Sequence, residues 1–343
     1  MKIPEPMMPL ITIIVASNSV SFRAKCEDMR AGCGSADGVA PREFERLGDH
    51  TGNSESRDNP VMRASPTFPS TLAPAQRVNG VSRQAPGLST GIQRHCAQVE
   101  RVLPHPTLGT HYATTEAKPD FVDALFDKGA RHYDAIVDWG FLRSGSRYRR
   151  WAQARYGLKR GDHLLDVACG TGLMAVEAVK LLGTAKNITC LDPSAGMLGV
   201  ARGKLAARFI QAHAEAMPLP DAAFDFLTMG YALRHVTDLE TTFREYLRVL
   251  KPGGRLLILE VTKPPGRVGG WLFRAYFGRL YPALVQLFTR SRDSRDMMLY
   301  YWETMDACVP PTTVLDALRT AGFAEVKRTA LLGLFSEYYG VKP

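Results

Sequence analysis

Apolar side chains in the first 117 residues follow neither a helical nor a strand period for more than a few positions, whereas from Pro119 onward they follow both in alternation. Phe121, Leu125, Phe126 and Ala130 recur at helical spacing, and a second helix is predicted around Arg147–Arg155. Strand patterns follow at His163–Val167, Asn187–Leu191, Arg208–Ala212, Phe226–Gly230 and Arg255–Val261. Helical patterns lie over Gly172–Leu182, from Ser194, and over Leu239–Leu250. A helix at Pro311–Ala321 and a closing strand pair, Glu325–Leu331 and Leu334–Gly340, end the chain. Strands alternating with helices through short loops predict an α/β domain on a mainly parallel sheet.

Composition sharpens the division. Residues 1–117 hold 9 Gly, 11 Pro and 10 Ser, which break or loosen regular structure, so this segment is expected to be a disordered leader. Its one apolar run, Met7 to Ala16, follows Lys2 like a signal-peptide core, but Glu5 precedes it and Pro9 interrupts it. Ten residues are too few for a membrane span, which takes about 20. The chain therefore divides into a leader, 1–117, and a domain, 118–343. Six cysteines lie far apart without a C-x-x-C pair or histidines at zinc-ligand spacing, so the reading is a reduced, cytoplasmic chain with no metal. The leader is nearly neutral, with 12 Lys+Arg against 11 Asp+Glu, and the domain carries 31 against 23. That excess suits anionic ligands or lipid and not a compact nucleic-acid patch.

The most informative run is Leu164-Leu165-Asp166-Val167-Ala168-Cys169-Gly170-Thr171-Gly172: a buried strand, a glycine turn, then a helix. Gly170 to Ala175 fits the G-x-G-x-x-G/A dinucleotide pattern, and Asp192 ends the next strand 20 residues after Gly172. Asp166 argues against a dinucleotide, because its carboxylate at the strand end would repel a pyrophosphate. It would attract a cationic ligand. S-adenosylmethionine offers an ammonium and a sulfonium there, and its ribose diol can donate to Asp192. His213-Ala214, after the third strand, supplies a polar side chain and a free backbone amide for an adenine edge, with an exposed loop histidine as the plainer reading of His213. Met197 and Gly230 complete the expected cofactor contacts, and Tyr133 either lies over the cofactor or packs in the core.

These features resemble the class I S-adenosylmethionine-dependent methyltransferases over essentially all of residues 119–343. The resemblance implies a doubly wound, mainly parallel seven-stranded Rossmann-like sheet. Within that class the chain is similar to the ubiquinone/menaquinone-biosynthesis C-methyltransferases, through Phe126-Asp127, Tyr133-Asp134, the run Gly230 to Asp238, the run Arg248 to Leu257, and Tyr339 to Pro343. That family implies methylation of an aromatic ring carbon on a prenylated quinol precursor without a metal. Ala168, His213, Gly230 and His235 depart from the family's usual residues. The alternatives are a phospholipid or natural-product N- or O-methyltransferase on the same core, and a non-catalytic S-adenosylmethionine-binding protein.

Methyl transfer is an in-line displacement at an already activated carbon, so the protein mainly aligns the nucleophile and excludes water. A phenol-type acceptor must still lose a proton. Arg234 and His235, just past the fourth strand, stand where ligands bind in open α/β sheets, and are the candidate phenolate stabiliser and base. A satisfied histidine and an Arg234–Asp238 pair are the structural alternatives. Residues 271–295 interleave Trp271, Phe273, Tyr276, Phe277, Tyr281 and Phe288 with arginines. They read as a core helix with a basic face, or as a lid over a lipophilic acceptor that also touches the inner face of a membrane.

Overall fold

The computed structural model describes residues 101–140, 145–331 and 333–343. The run Met7–Ala16 and most of the expected leader lie outside the described residues. Helices α1 (Lys118–Gly140) and α2 (Gly145–Arg155) come first, then β1 (Leu164–Val167), α3 (Leu173–Leu182), β2 (Ile188–Asp192), α4 (Ala195–Arg202), β3 (Arg208–Gln211) and β4 (Phe224–Gly230). A short 3-10 turn (Leu233–His235) leads to α5 (Leu239–Val249) and β5 (Leu250–Val261). Next come α6 (Arg267–Ala275), a π turn (Tyr276–Leu280), α7 (Tyr281–Thr289), α8 (Arg292–Ala307), α9 (Pro311–Ala321), β6 (Ala324–Leu331) and β7 (Phe335–Val341).

The strands form one seven-stranded sheet in the order β3-β2-β1-β4-β5-β7-β6. All neighbours are parallel up to β5; β7 runs antiparallel to both β5 and β6. Helices cover both faces, so every residue of β1 and β2 is buried, as their near-continuous apolar runs require. One face packs Phe243, Tyr246, Val314 and Leu318 from α5 and α9; the other packs Tyr148, Ala152, Ala175 and Ala178 from α2 and α3. The order reverses direction between β1 and β4, and the carboxyl ends of those strands define the crevice in which such sheets bind ligands.

Three expectations change. Residues 101–117, assigned above to the leader, are packed on the domain: the Val102 amide donates to Asp238 Oδ1 at 2.7 Å, its carbonyl accepts from the Leu239 amide at 2.9 Å, and Tyr112 is buried. The Val102 bonds, and that from the Val309 amide to the Pro104 carbonyl, reach residues over a hundred positions later, which no local period signals. Residues 251–254, which separate the expected helix Leu239–Leu250 from the expected strand Arg255–Val261, lie inside β5 as a break in register opposite β4, between pairs Phe224↔Leu250 and Phe226↔Arg255. The stretch 271–295 is not one helix. It divides into α6, the π turn, α7 and the start of α8, and Gly278 allows the Trp302 ring to lie where a Cβ would come within 3.1 Å of it.

Candidate active site

The loop after β1 carries left-handed backbone at Ala168 (φ 49°) and Gly170 (φ 54°). A Cβ placed on Gly170 would meet no atom within 4 Å, because this glycine faces an open cavity of about 480 Å³. Asp192, Ser194, Met197, Gly230, Tyr133 and His235 also line it. The loop and the end of β2 are tied together by Asp192, whose Oδ2 accepts from the Gly170 amide at 2.7 Å and whose Oδ1 accepts from the Ser194 amide at 2.9 Å. Burial pushes the Asp192 carboxyl up to about 6, against the opposing pull of those two N–H groups.

Other expected cofactor contacts are placed elsewhere. Asp166 is fully buried behind the loop, where Oδ1 accepts from Thr228 Oγ1 at 2.9 Å and Oδ2 from the Ala175 amide at 3.2 Å. It joins β1 to β4 and to the first turn of α3, and does not line the cavity; burial raises it to about 7. Gly172 is the N-cap of α3, Ala214 packs in the sheet core, and the side chain of His213 is 48% exposed, with Nε2 3.4 Å from Asp123 Oδ2 at the cavity rim. Thr171 is buried and donates to Asp134 Oδ1.

That last bond belongs to a clip the sequence motif contained but did not explain. Asp127 and Asp134 stand seven residues apart, on one face of α1. Asp127 Oδ1 accepts from Ser194 Oγ and from the Gly196 amide at 2.8 Å, at the start of α4. Asp134 pairs with Lys204, which also donates to the Thr171 carbonyl at 2.8 Å. Helix α1 is thereby fastened across the cofactor loop.

A second cavity, of about 570 Å³, adjoins the first and shares Tyr133, Tyr231 and Tyr301 with it. Its walls are otherwise apolar, from Ile136, Val137, Val261, Phe277, Met298 and Met305, apart from Tyr281 and two arginines, Arg149 and Arg234. The Tyr133 and Tyr301 hydroxyls share a 2.9 Å hydrogen bond between the cavities. Arg234 is completely buried, pairs with Glu260, donates Nε–H to Thr304 Oγ1 at 3.1 Å and lies 4.7 Å over the Tyr301 ring. Its expected structural partner, Asp238, instead caps α5 through the Thr241 amide.

His235 lines the first cavity and not the second. Its ring stacks on Tyr300 with centroids 5.5 Å apart and meets Phe126 edge-on at 5.2 Å. Neither ring nitrogen has a hydrogen-bond partner among the described residues. Burial first, then the nearby Arg234 charge, holds its pKa well below the ordinary histidine value, so the ring is neutral at physiological pH. Arg149, Phe126 and Tyr301 were not identified as site residues from the sequence, since on amphipathic helices such side chains read as core or solvated face.

The model of the ubiE/COQ5 methyltransferase family matches residues 113–342. The chain belongs to this family. It is 33% identical over 241 residues to "Ubiquinone/menaquinone biosynthesis C-methyltransferase UbiE" of Shewanella sediminis, covering 67% of this chain and 95% of the relative. The protein of that description from Marinomonas sp. is 37% identical over 190 residues, covering 52% of this chain and 74% of the relative. Among solved structures, a phosphoethanolamine N-methyltransferase 2 of Haemonchus contortus in complex with S-adenosyl-L-methionine aligns at 18% identity and a TM-score of 0.48, over 68% of this chain and 60% of that one.

As a ubiE/COQ5 methyltransferase the chain is an enzyme that uses S-adenosylmethionine. The first cavity fits that cofactor: the open face at Gly170 admits a ligand against the backbone, and the desolvated Asp192 carboxylate has lone pairs left for two hydroxyl donors. Met197, Gly230 and Tyr133 would bound the remainder. No helix among the described residues is long and apolar enough to cross a membrane.

Proposed function

We propose that this enzyme C-methylates the ring of a prenylated quinol precursor in ubiquinone or menaquinone biosynthesis. The supporting observation is the apolar second cavity, which meets the cofactor cavity at Tyr133, Tyr231 and Tyr301. A lipophilic aromatic ring in it would reach that boundary. The bound cofactor supplies an electrophilic methyl group on a sulfonium. The acceptor's hydroxyl would give its proton to a base so that the oxygen's electron pair can move into the ring; the ring carbon would then take the methyl, leaving sulfur as a neutral thioether, and water would carry off the displaced ring proton, which restores aromaticity. His235, neutral and with both nitrogens unpartnered among the described residues, is the proton acceptor in this reading.

The same reading gives α6 and α7 a place at the cytoplasmic face of a membrane. Val268, Trp271, Leu280, Leu287 and Phe288 are each more than half exposed, and they are the large exposed hydrophobics among the described residues. Arg267, Arg274, Arg279, Arg290, Arg292 and Arg295 flank or alternate with them along the sequence. Phe277 and Tyr281 of this segment also line the second cavity, so a prenylated acceptor would pass from lipid to site along one continuous face.

The test is transfer of a labelled methyl group to demethyl quinols by the purified protein, with lipid mass spectrometry of cells lacking it. Accumulation of a demethyl quinone precursor is expected. Methylation of phospholipids with no change in quinones would sink the reading.

A further inference from the structure

In the acceptor cavity the two arginines differ in one respect: Arg234 is paired with a buried carboxylate, Glu260, and Arg149 is paired with none among the described residues. Arg149, in the first turns of α2, is only 4% exposed, and no described residue makes an ion pair or a hydrogen bond with its guanidinium. Its recorded contact is with the Tyr231 ring, whose centroid lies 5.6 Å from Cζ. A cation over a ring at that distance offsets part of the cost of burying a charge and leaves the rest standing. The helix does not help. One guanidinium nitrogen lies 2.9 Å from where a Cβ on Gly145 would stand, over the first turn of α2, so the positive end of the helix dipole adds to its charge. The titratable groups around it are Tyr133, Tyr231 and Asp166: burial pushes both phenols up, Tyr231 to about 12, and the Asp166 carboxyl, which feels the Arg149 charge but is raised to about 7 by burial, lies outside this cavity with its oxygens held by Thr228 Oγ1 and the Ala175 amide. What is missing from the cavity is one anion.

We infer that Arg149 receives the ionised ring oxygen of the acceptor, holding it as a phenolate at the boundary with the cofactor cavity. This assignment rests on the aromatic acceptor proposed above. It gives Arg149 the electrostatic role that the sequence pattern had suggested for Arg234. Arg149 keeps its own proton throughout and donates N–H bonds to the oxygen; these strengthen as the hydroxyl proton leaves, so the guanidinium favours the nucleophilic form of the ring. Between the Tyr133 and Tyr301 hydroxyls one proton is used in their mutual bond and the other is free to point at the same oxygen.

The experiment is a spectrophotometric titration of 4-nitrophenol, whose phenolate absorbs apart from the phenol, against the full-length protein. Wild type should lower the ionisation midpoint of bound probe by at least about one pH unit, a tenfold preference for the phenolate. Arg149→Met should abolish that shift and weaken phenolate binding roughly tenfold or more, Arg149→Lys should keep part of it, and S-adenosylmethionine affinity should stay within about twofold of wild type. Melting temperature should hold or rise in Arg149→Met, because an uncompensated buried charge is removed. Equal shifts in wild type and Arg149→Met, no shift in wild type, or a sharply lower melting temperature would each overturn the assignment. Benzoate binding in preference to nitrophenolate would overturn the phenolate form of it. Because the readout needs no turnover, a failure of quinol methylation with the probe result intact would count against the proposed acceptor and not against Arg149.

Discussion

The two cavities are built from opposite kinds of sequence. The cofactor cavity is framed by backbone at the ends of β1 and β2, in runs where strand, turn and helix are contiguous. The acceptor cavity is walled by side chains from α1, α2, the π turn, α7 and α8, drawn from positions as distant as Tyr133 and Met305. A cavity made of backbone tolerates changes of side chain, as left-handed Ala168 shows in a position where glycine is the easier residue. One made of side chains changes its contents with every substitution. Cofactor use is therefore the stable property of this enzyme, and acceptor choice the adjustable one.

Four measurements would break or sharpen that contrast. The largest effect is expected in the wall of the cofactor cavity: His235→Ala should lower turnover by about 100-fold or more, the scale of a lost general base, with a much smaller change in cofactor affinity. The acidic limb of the rate profile, which in wild type falls below the ordinary histidine range because burial lowers this pKa, should vanish with it. Turnover and pH dependence like wild type would leave His235 a packing residue.

On the cofactor side, Asp192→Ala should weaken S-adenosylmethionine binding roughly 10- to 100-fold while the fold persists, since hydrogen bonds to a charged group contribute about 1.5–3 kcal/mol each and water replaces part of the loss. The wild-type pH dependence has a defined sign. Hydroxyl donors favour the ionised carboxylate, whose ligand-free pKa is about 6, so affinity should hold above that pH and fall as pH drops through it. Calorimetry across pH 5–8 reads both; affinity that is flat through this range and unchanged in the variant would remove Asp192 from the ribose.

A third measurement concerns stability. A chain beginning at residue 118 should melt several degrees below one beginning at residue 101, because it loses the Val102 bonds to Asp238 and Leu239 and the burial of Tyr112. His105 in the same segment is buried, and its pKa is lowered to about 4 mainly by desolvation. The unfolded chain takes up that proton first, so the stability His105 confers is present above about pH 6.5 and is lost progressively toward pH 4. Identical melting of the two chains across that range would mark residues 101–117 as a passive tail.

The smallest effect is expected at the exposed face of α6 and α7. Association with anionic liposomes should be weak, reduced by salt, and lowered further by Trp271→Ala or Leu287→Ala, since each surface arginine contributes about 1 kcal/mol and is screened within a Debye length of roughly 8 Å at physiological salt. Binding to neutral and anionic vesicles that is equal and negligible at low salt would confine the segment to the acceptor cavity.

The same contrast explains what the sequence disclosed. Gly170, Asp192 and the seven strands were legible because a buried parallel strand followed by a glycine turn has a local signature. Asp166 does not face the crevice as the sequence suggests: a strand-end carboxylate can face the crevice or turn back into the sheet, and the Thr228 hydroxyl bonded to it lies 62 residues away. Arg149 and Tyr301 had no local signature, since their meaning comes from what α2 and α8 face across space. Helix α8 itself was missed because its polar and apolar positions mix without a clean stripe, although Ser291 caps it through the Ser294 amide.

Helix α1 carries a kinetic consequence. Asp127 and Asp134 fasten it across the cofactor loop, while Tyr133, Ile136 and Val137 of the same helix wall the acceptor cavity. One rigid bar therefore serves as the door of both rooms. Any swing of α1 wide enough to part Asp127 and Asp134 from their partners would also move one wall of the second cavity. Under that coupling, release from the two cavities would be a single gated event.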